Sequence, residues 1–309
     1  MQLEKGAKKT AQKIVVYGAE GIGKTTFCSH FDKPVFVDVE EGSYSYEIVR
    51  TVPDTWEEIL DYISQLRHHR DCHTIIIDTA DKAEQLCAEY VCRENGWKSI
   101  ETPGYGKGYV ELAKEYQKIL DELSKATECG RNVVMCAHAM MRKFEQPDEM
   151  GAYDRWELKL NKKVAPLVKE WSDALLFANF KTIVEQVSSG MTSKAKARGG
   201  QQRVFYCTHH ACWDAKNRWG LDSTEGLPFE YDQIKEYIYT VVDTKEKTLD
   251  DLIEESDYSK EQIAHLSSYL GHNSEGTKVD DFTEEYKQYL IDNWNKFISR
   301  MSELEEVPF

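Results

Sequence analysis

Short apolar runs and longer amphipathic stretches alternate along the first two thirds of the chain. Residues 13–17 (Lys-Ile-Val-Val-Tyr) read as a buried strand that runs into a glycine-rich turn, and 25–31 as a helix. Residues 35–39 (Val-Phe-Val-Asp-Val) read as a second core strand, ending in the acidic turn of Glu40 and Glu41. Over 54–67 the apolar residues Ile59, Ile63 and Leu66 recur at helical spacing behind an Asp-Thr start. Residues 74–78 (Thr-Ile-Ile-Ile-Asp) are apolar on both faces, as a central parallel strand requires. Helices are predicted at about 80–95 and 110–128, around a Gly-rich, aromatic loop at 96–108, with a fourth strand at 132–137. Strands alternating with helices of this length predict an α/β fold with a mostly parallel, doubly wound sheet.

Further along, the pattern changes. Residues 139–157 read as a polar loop, and 161–170 as a short helix kinked near Pro166. β-like runs at 174–187 and 204–208 predict an antiparallel extension of the sheet. The Gly/Ser/Lys-rich stretch 188–203 between them reads as a mobile connection. From about Phe229 the chain becomes acidic and helical, with candidate helices at 231–241, 248–256, 259–270 and 281–303. The expected organisation is a core over 1–230 and a small acidic helical region over 231–309.

Charge sharpens that division. The 309-residue chain has a net charge of −15, and residues 231–309 hold 19 acidic against 8 basic side chains. The acid therefore sits in the C-terminal region, and the body remains free to present basic loops to nucleic acid. No run approaches the roughly 18 apolar residues of a membrane span. The N-terminal residues are polar and basic without an apolar signal region, so a cytoplasmic protein with no membrane partner is expected. Eight scattered cysteines form no disulfide framework and are expected to be reduced. Cys207, His209, His210 and Cys212 invite a zinc reading. Their spacing fits neither common finger pattern, and alternate strand side chains point apart.

Candidate chemistry begins at Gly18-Ala19-Glu20-Gly21-Ile22-Gly23-Lys24-Thr25-Thr26, which fits the phosphate-binding pattern G-x-x-x-x-G-K-[ST]. The glycines let successive backbone N–H groups turn toward one anion, and the following helix adds its positive end. Lys24 supplies charge to the β- and γ-phosphates, and Thr25 a hydroxyl to magnesium. Asp78, ending an apolar strand at the ligand-binding edge of such a sheet, is the expected Walker B carboxylate holding magnesium opposite Thr25. A helix-capping aspartate is the alternative there. Asp81 reads as a first-turn helix acid. Glu40, with Glu41 as the alternative, is placed to polarise the water that attacks the γ-phosphate. ATP and Mg²⁺ are the expected cofactors.

These segments together resemble the RecA recombinase core: Gly-x-Glu-x-x-Gly-Lys-Thr-Thr, then Phe36-Val37-Asp38-Val39-Glu40, Pro53-Asp54-Thr55 and Ile75-Ile76-Ile77-Asp78. The resemblance implies a RecA-like P-loop fold in which Glu40 is the catalytic base. It also implies that the strand-end residue His138 senses the γ-phosphate and relays its presence to a DNA-binding loop. A strand-end histidine bonded to backbone is the plainer reading. Lys216-Asn217-Arg218-Trp219-Gly220 resembles the K-N-R-F-G signature of the bacterial RadA branch. There the basic residues reach a neighbouring subunit's nucleotide, which implies self-association with Lys216 and Arg218 acting in trans. Lys194, Lys196 and Arg198 are an alternative trans element or a DNA contact. The resemblance further points to Trp97, Lys98, Tyr105 and Lys107, and to Arg142, Lys143 and Phe144, as single-stranded-DNA contacts.

The terminal Glu305-Glu306-Val307-Pro308-Phe309 resembles the acidic tip of bacterial single-stranded-DNA-binding proteins, which implies a replication or recombination partner. A compact core of this kind is similar to phage-encoded RecA-core ATPases that anneal or recombine single strands. The expected function is therefore a DNA-dependent ATPase working in the host cytoplasm. The alternative is a nucleotide-gated loader that recruits replication proteins through its acidic region. A small-molecule phosphotransferase would need an Arg-rich lid, and none is assignable.

Overall fold

The computed structural model describes residues 6, 9–145, 151–189, 192–239, 248–254, 256, 258–274 and 276–305, with side chains at 182–199, 295 and 301–305 left aside. The chain divides into two compact units, Met1–Val242 and Asp243–Phe309.

The first unit is built on β1 (Lys13–Gly18), β2 (Pro34–Asp38), β3 (Val49–Thr51), β4 (Thr74–Asp78), β5 (Asn132–Glu145) and β7 (Ala174–Ser189), all parallel, in the order β3-β2-β4-β5-β1-β7. β8 (Thr192–Tyr206) and β9 (Leu227–Pro228) extend the β7 edge in antiparallel fashion, and β6 (Ala152–Leu158) pairs with β5 beyond the core.

Alternation along each strand feeds two separate cores. Val15, Tyr17, Val37, Ile75, Ile77, Val133 and Met135 face α2 (Trp56–Leu66), α3 (Ala80–Glu94), α4 (Lys107–Glu128) and α5 (Val164–Trp171). Ile14, Val16, Phe36, Ile76, Val134 and Cys136 face Phe27 and Cys28 of α1 (Lys24–Cys28), together with Phe205 and Ile234. β4 is buried at every residue. Each fully buried Ile there contributes about 1.5–3 kcal/mol relative to exposure, which is why Thr-Ile-Ile-Ile-Asp sits at the centre. The start of α2 follows from its sequence. Thr55 Oγ1 accepts from Glu58 N at 3.2 Å, and Thr55 N donates to Glu58 Oε2 at 3.3 Å, closing a capping box.

Several expectations need correction. Residues 139–145 and 152–157, expected in a loop, are strand: β5 continues through Glu145 and pairs antiparallel with β6 from Ala139↔Leu158 to Glu145↔Ala152. The face of this pair carries alternating large side chains, with Phe144 against Tyr153 at 5.6 Å and Arg155 over the Phe144 ring. Within 188–203, Thr192 onward is strand, paired with β7 from Ser189↔Thr192, and the 174–187 run itself pairs parallel with β1, so the antiparallel extension begins only with β8. Instead of a helix at 231–241 there are two single 3₁₀ turns, Tyr231–Gln233 and Lys235–Tyr237. Aromatic packing holds this segment to the first unit: Tyr231 lies against Phe31 at 4.6 Å, and Tyr237 stacks on Trp219 at 5.4 Å. The first unit accordingly runs about a dozen residues past 230, to Val242.

The second unit holds α6 (Leu249–Glu254), α7 (Lys260–Tyr269), α8 (Glu284–Asp292) and α9 (Trp294–Glu305) around Leu249, Ile253, Ile263, Leu266, Val279, Phe282, Leu290 and Phe297. The expected single helix at 281–303 is divided at Asn293, whose backbone leaves helical geometry (φ −117°, ψ 19°). Among the described residues no helix is long and apolar enough to cross a membrane.

Candidate active site

Register places the chemistry along one edge. Gly18 is paired with both His138 and Ala178, Asp38 with Asp78, and Asp78 with Cys136, so β1, β2 and β4 end along one edge, which passes positions 136–138 of β5 and 178 of β7. This is the edge at which open α/β sheets bind ligands.

The phosphate loop runs from β1 into α1. Ile22 is fully buried in the second core and anchors the loop, whereas Glu20, Gly21 and Thr26 are exposed. Gly18 and Gly23 are required for different reasons. A Cβ on Gly18 would lie 2.2 Å from the Ala178 carbonyl oxygen of β7. Gly23 has φ +101°, in the left-handed region. Lys24 is buried, and its Nζ donates to the carbonyls of Ala19 at 3.2 Å and Gly18 at 3.4 Å.

Thr25 Oγ1 donates to Asp78 Oδ2 at 2.9 Å. Burial pushes the Asp78 carboxyl up to about 6, reinforced by Glu40 and Asp38 and opposed by the Thr25 hydrogen bond and by Lys24. Asp38 is a site residue that sequence reasoning passed over. It is buried, its Oδ2 accepts from the Ser43 amide at 3.1 Å and from the Ser43 hydroxyl, and its Oδ1 has no hydrogen-bond partner among the described residues. The donor set of one hydroxyl and two buried carboxylates, one with an orphaned oxygen, fits a hard, oxygen-preferring cation such as Mg²⁺. The available signal was that both neighbouring core strands end in Asp.

Beside this group lies a second. Asp81 is more than a first-turn acid. Its Oδ1 accepts from the His138 amide at 3.0 Å, and its Oδ2 lies 2.9 Å from His138 Nδ1. Glu40 Oε1 lies 3.8 Å from the same Nδ1. The Asp81 hydrogen bond raises the His138 pKa, against the opposing pull of burial, and Glu40 adds to the rise. Burial pushes Asp81 up, but its bonds to His138 outweigh that and hold it below the usual range. Glu40, Asp81 and His138 offer ligand atoms within 4.8 Å of one another, two of which the Asp81–His138 bond already consumes. The spacing of Asp78 and Asp81 was the legible signal, since the first turn of α3 brings position 81 back over the strand ends.

Glu40 itself is 41% exposed, one residue beyond Val39, and its amide donates to the Asp78 carbonyl at 3.2 Å. Glu41, with φ +56°, accepts from the Tyr44 hydroxyl.

Lys216 and Arg218 lie elsewhere. The backbone of Lys216 pairs with Leu175, which is level with Val15, three residues short of Gly18 and therefore roughly 10 Å from the loop edge. Arg218 pairs with Asp173 at 2.9 Å, at the opposite end of β7 from Ala178. Asn217 and Trp219 serve the fold: Asn217 Nδ2 donates to the carbonyls of Cys207 and Leu221, and Trp219 Nε1 donates to Gln12.

Cys207 is buried with its Sγ against the Leu221 carbonyl, and His210 stacks on Trp213 at 4.0 Å. Among the described residues this group forms no metal cluster. α3 and α4 run antiparallel, with the Tyr116 hydroxyl on the Ala80 carbonyl and Cys87 beside Leu112. Loop 96–106 thus closes the end of the pair remote from Ala80, with Tyr105 fully exposed. In the β5–β6 hairpin Arg142 is engaged by the Leu160 carbonyl and Glu157. The side chains of Lys194, Lys196 and Arg198, and the tip at 306–309, lie outside the described residues.

A glycine-rich loop joining a central parallel strand to a helix, with a hydroxyl–carboxylate pair at the strand ends, defines a P-loop ATPase-class domain. The chain belongs to the AAA domain family, whose sequence profile matches residues 10–219. It is 24% identical over 287 residues to the SPbeta prophage-derived uncharacterized protein YorG of Bacillus subtilis (strain 168), a match covering 88% of this chain and 84% of that protein. The family implies nucleotide and, in general, Mg²⁺ use.

Proposed function

We propose that the chain is a magnesium-dependent ATPase that assembles on single-stranded DNA and promotes annealing or recombination. In this reading Lys24 and the loop amides hold the phosphates, and Thr25 and Asp78, with Asp38, hold the magnesium. Bound Mg²⁺ supplies charge neutralisation at the β- and γ-phosphates. Glu40 polarises the attacking water. His138, oriented by Asp81, responds to the γ-phosphate. Lys216 and Arg218 act on a neighbouring subunit's nucleotide, in keeping with their distance from the loop of their own chain.

One observation carries the coupling to a second ligand. β5 bears His138 at the nucleotide edge and continues without interruption into the hairpin with β6. A hydrogen-bonded strand is stiff, so a change at His138 is transmitted along it to exposed groups such as Met141. The relative's prophage origin supports a phage setting for this activity. Steady-state ATP hydrolysis with and without single-stranded DNA tests the reading. Stimulation is expected, with Glu40→Gln abolishing turnover while retaining ATP binding; turnover indifferent to DNA refutes the coupling.

A second reading is favoured by the separate core of residues 243–309 and by its exposed Tyr269 and Tyr289. There the acidic unit recruits a replication or recombination protein while the first unit gates capture by nucleotide. Deleting Glu305 through Phe309 should then weaken partner capture and leave ATP hydrolysis intact.

A further inference from the structure

Among the described residues, the pairing of β7 with β8 shifts register at one point, between Phe180 and Thr182. It runs from Ser189↔Thr192 to Thr182↔Gly199 and resumes at Phe180↔Arg203, so one residue of β7 opposes three of β8. Gly200, inside this bulge, has φ +93°. Bulges of this kind bend a strand and re-aim the side chains that follow, and they recur beside active sites. The first residue after the bulge is Arg203.

Two contacts tie that residue to the phosphate loop. The Arg203 carbonyl accepts from the Phe229 amide at 3.1 Å, and the Phe229 ring lies stacked on Phe27 of α1 at 4.6 Å with 7° between the planes. The backbone at 203 is therefore fixed to the helix that the phosphate loop opens. The side chain completes the link: a Cβ built on Gly23 would lie 2.9 Å from Arg203 Nη1. A glycine just before the loop lysine leaves room for a phosphate to approach the backbone. The guanidinium of Arg203 stands over that open face.

We propose that Arg203 is a phosphate-binding residue supplied in cis, whose guanidinium closes over the phosphate chain of a nucleoside triphosphate cradled at Gly23. The inference rests on the ATPase reading of the site and adds to it. A guanidinium offers five N–H donors in a planar fork and holds phosphate oxygens through charge-assisted bonds. Lys216 and Arg218, at the other end of the sheet, cannot do this for their own loop. Arg203 differs from them in needing no neighbour.

The test uses the full chain with ATP and ADP as probes. Wild type, Arg203→Gln, Arg203→Lys and Lys24→Ala are compared by nucleotide titration in Mg²⁺ and by steady-state hydrolysis. Arg203 is exposed, so Arg203→Gln should keep the wild-type denaturation midpoint. Arg203→Gln is expected to bind ATP about tenfold or more weakly, as for loss of a charge-assisted hydrogen bond, with partial recovery in Arg203→Lys. Mixing Arg203→Gln with Lys24→Ala should restore nothing, because each site lacks a group from its own chain. Wild-type ATP affinity in Arg203→Gln, alongside lost affinity in Lys24→Ala, overturns the proposal. Recovery on mixing overturns its cis character. Failure of the wild type itself to bind ATP brings down the ATPase reading, and this inference with it.

Discussion

Gly18→Ala puts one methyl group into the seam between β1 and β7. A Cβ there lies 2.2 Å from the Ala178 carbonyl oxygen, 3.0 Å from its carbon and 3.1 Å from its Cβ. A carbon–oxygen contact settles at about 3.3 Å or more, so the strands must part by roughly 1 Å. They are paired from Ile14↔Ala174 to Gly18↔Ala178, and opening by that amount takes the last ladder bond out of range. Overpacking costs about 1–3 kcal/mol, and the lost bond adds about 1 kcal/mol, giving a loss of about 2–4 kcal/mol. The strain falls where β1 becomes the phosphate loop, so nucleotide affinity should fall along with stability. Gly21→Ala is the control. Gly21 has φ +70° with open space around it, so only the left-handed backbone cost of about 1–2 kcal/mol applies. Urea denaturation and ATP titration of both variants measure the difference. Adding Ala178→Gly removes the 3.1 Å contact and leaves the 2.2 Å one, so it should not rescue Gly18→Ala. Wild-type stability in Gly18→Ala, or full rescue by Ala178→Gly, refutes the steric account.

Three further outcomes are expected. Asp81→Asn should lower the His138 titration midpoint measured by NMR, since the Asp81 bond is what raises it; an unchanged midpoint removes the dyad from the argument. In the wild type the raised His138 pKa stabilises the fold below the unfolded value of about 6.5 and that gain is lost as pH rises through the folded value. Burial lifts Glu84 from its ordinary 4.5 to about 7, so the folded chain holds a proton that the unfolded chain releases, and stability should fall as pH rises between those values. Glu84→Gln should flatten that slope and gain roughly 1–3 kcal/mol at pH 8, read by denaturation at several pH values; an unaltered slope is the contrary result. Arg218→Ala loses only a surface ion pair worth about 0–1 kcal/mol, so it should fold normally yet hydrolyse ATP roughly a thousandfold more slowly if it acts as a trans arginine. Mixed with Lys24→Ala, it should regain activity at interfaces that combine the two intact halves, and no regain counts against a shared site.

The parallel core was legible because its determinants are local. Thr-Ile-Ile-Ile-Asp is apolar on both faces wherever it sits, and a glycine-rich turn between strand and helix that ends in Gly-Lys-Thr fits the phosphate-loop pattern. The loop residues Gly18 to Thr26 and the strand-end Asp78 follow from the same kind of reading. Misread segments were those whose pairing partner is distant or whose composition misleads: 139–157 looks polar because a two-stranded ribbon has few apolar residues to show. Tyr231 and Tyr237 sit in an acidic stretch yet belong to the first unit through Phe31 and Trp219.

The sequence by itself determined the strand–loop–helix that names the chemistry, four of the parallel core strands, and an acidic helical end; the order of strands in the sheet, β3, and the parallel pairing of β7 with β1 came only from the structure. Only the tertiary structure decided which side chains share a site. Asp38 meets Asp78 by strand register, Asp81 meets His138 across 57 residues, and Arg203 reaches Gly23 from a hairpin 180 residues away. Propensity and periodicity act over a few residues, whereas register, bulges and crossovers set contacts between strand ends. Why Gly18 must be glycine shows the difference: the motif marks the position, but the carbonyl of Ala178 on another strand supplies the reason.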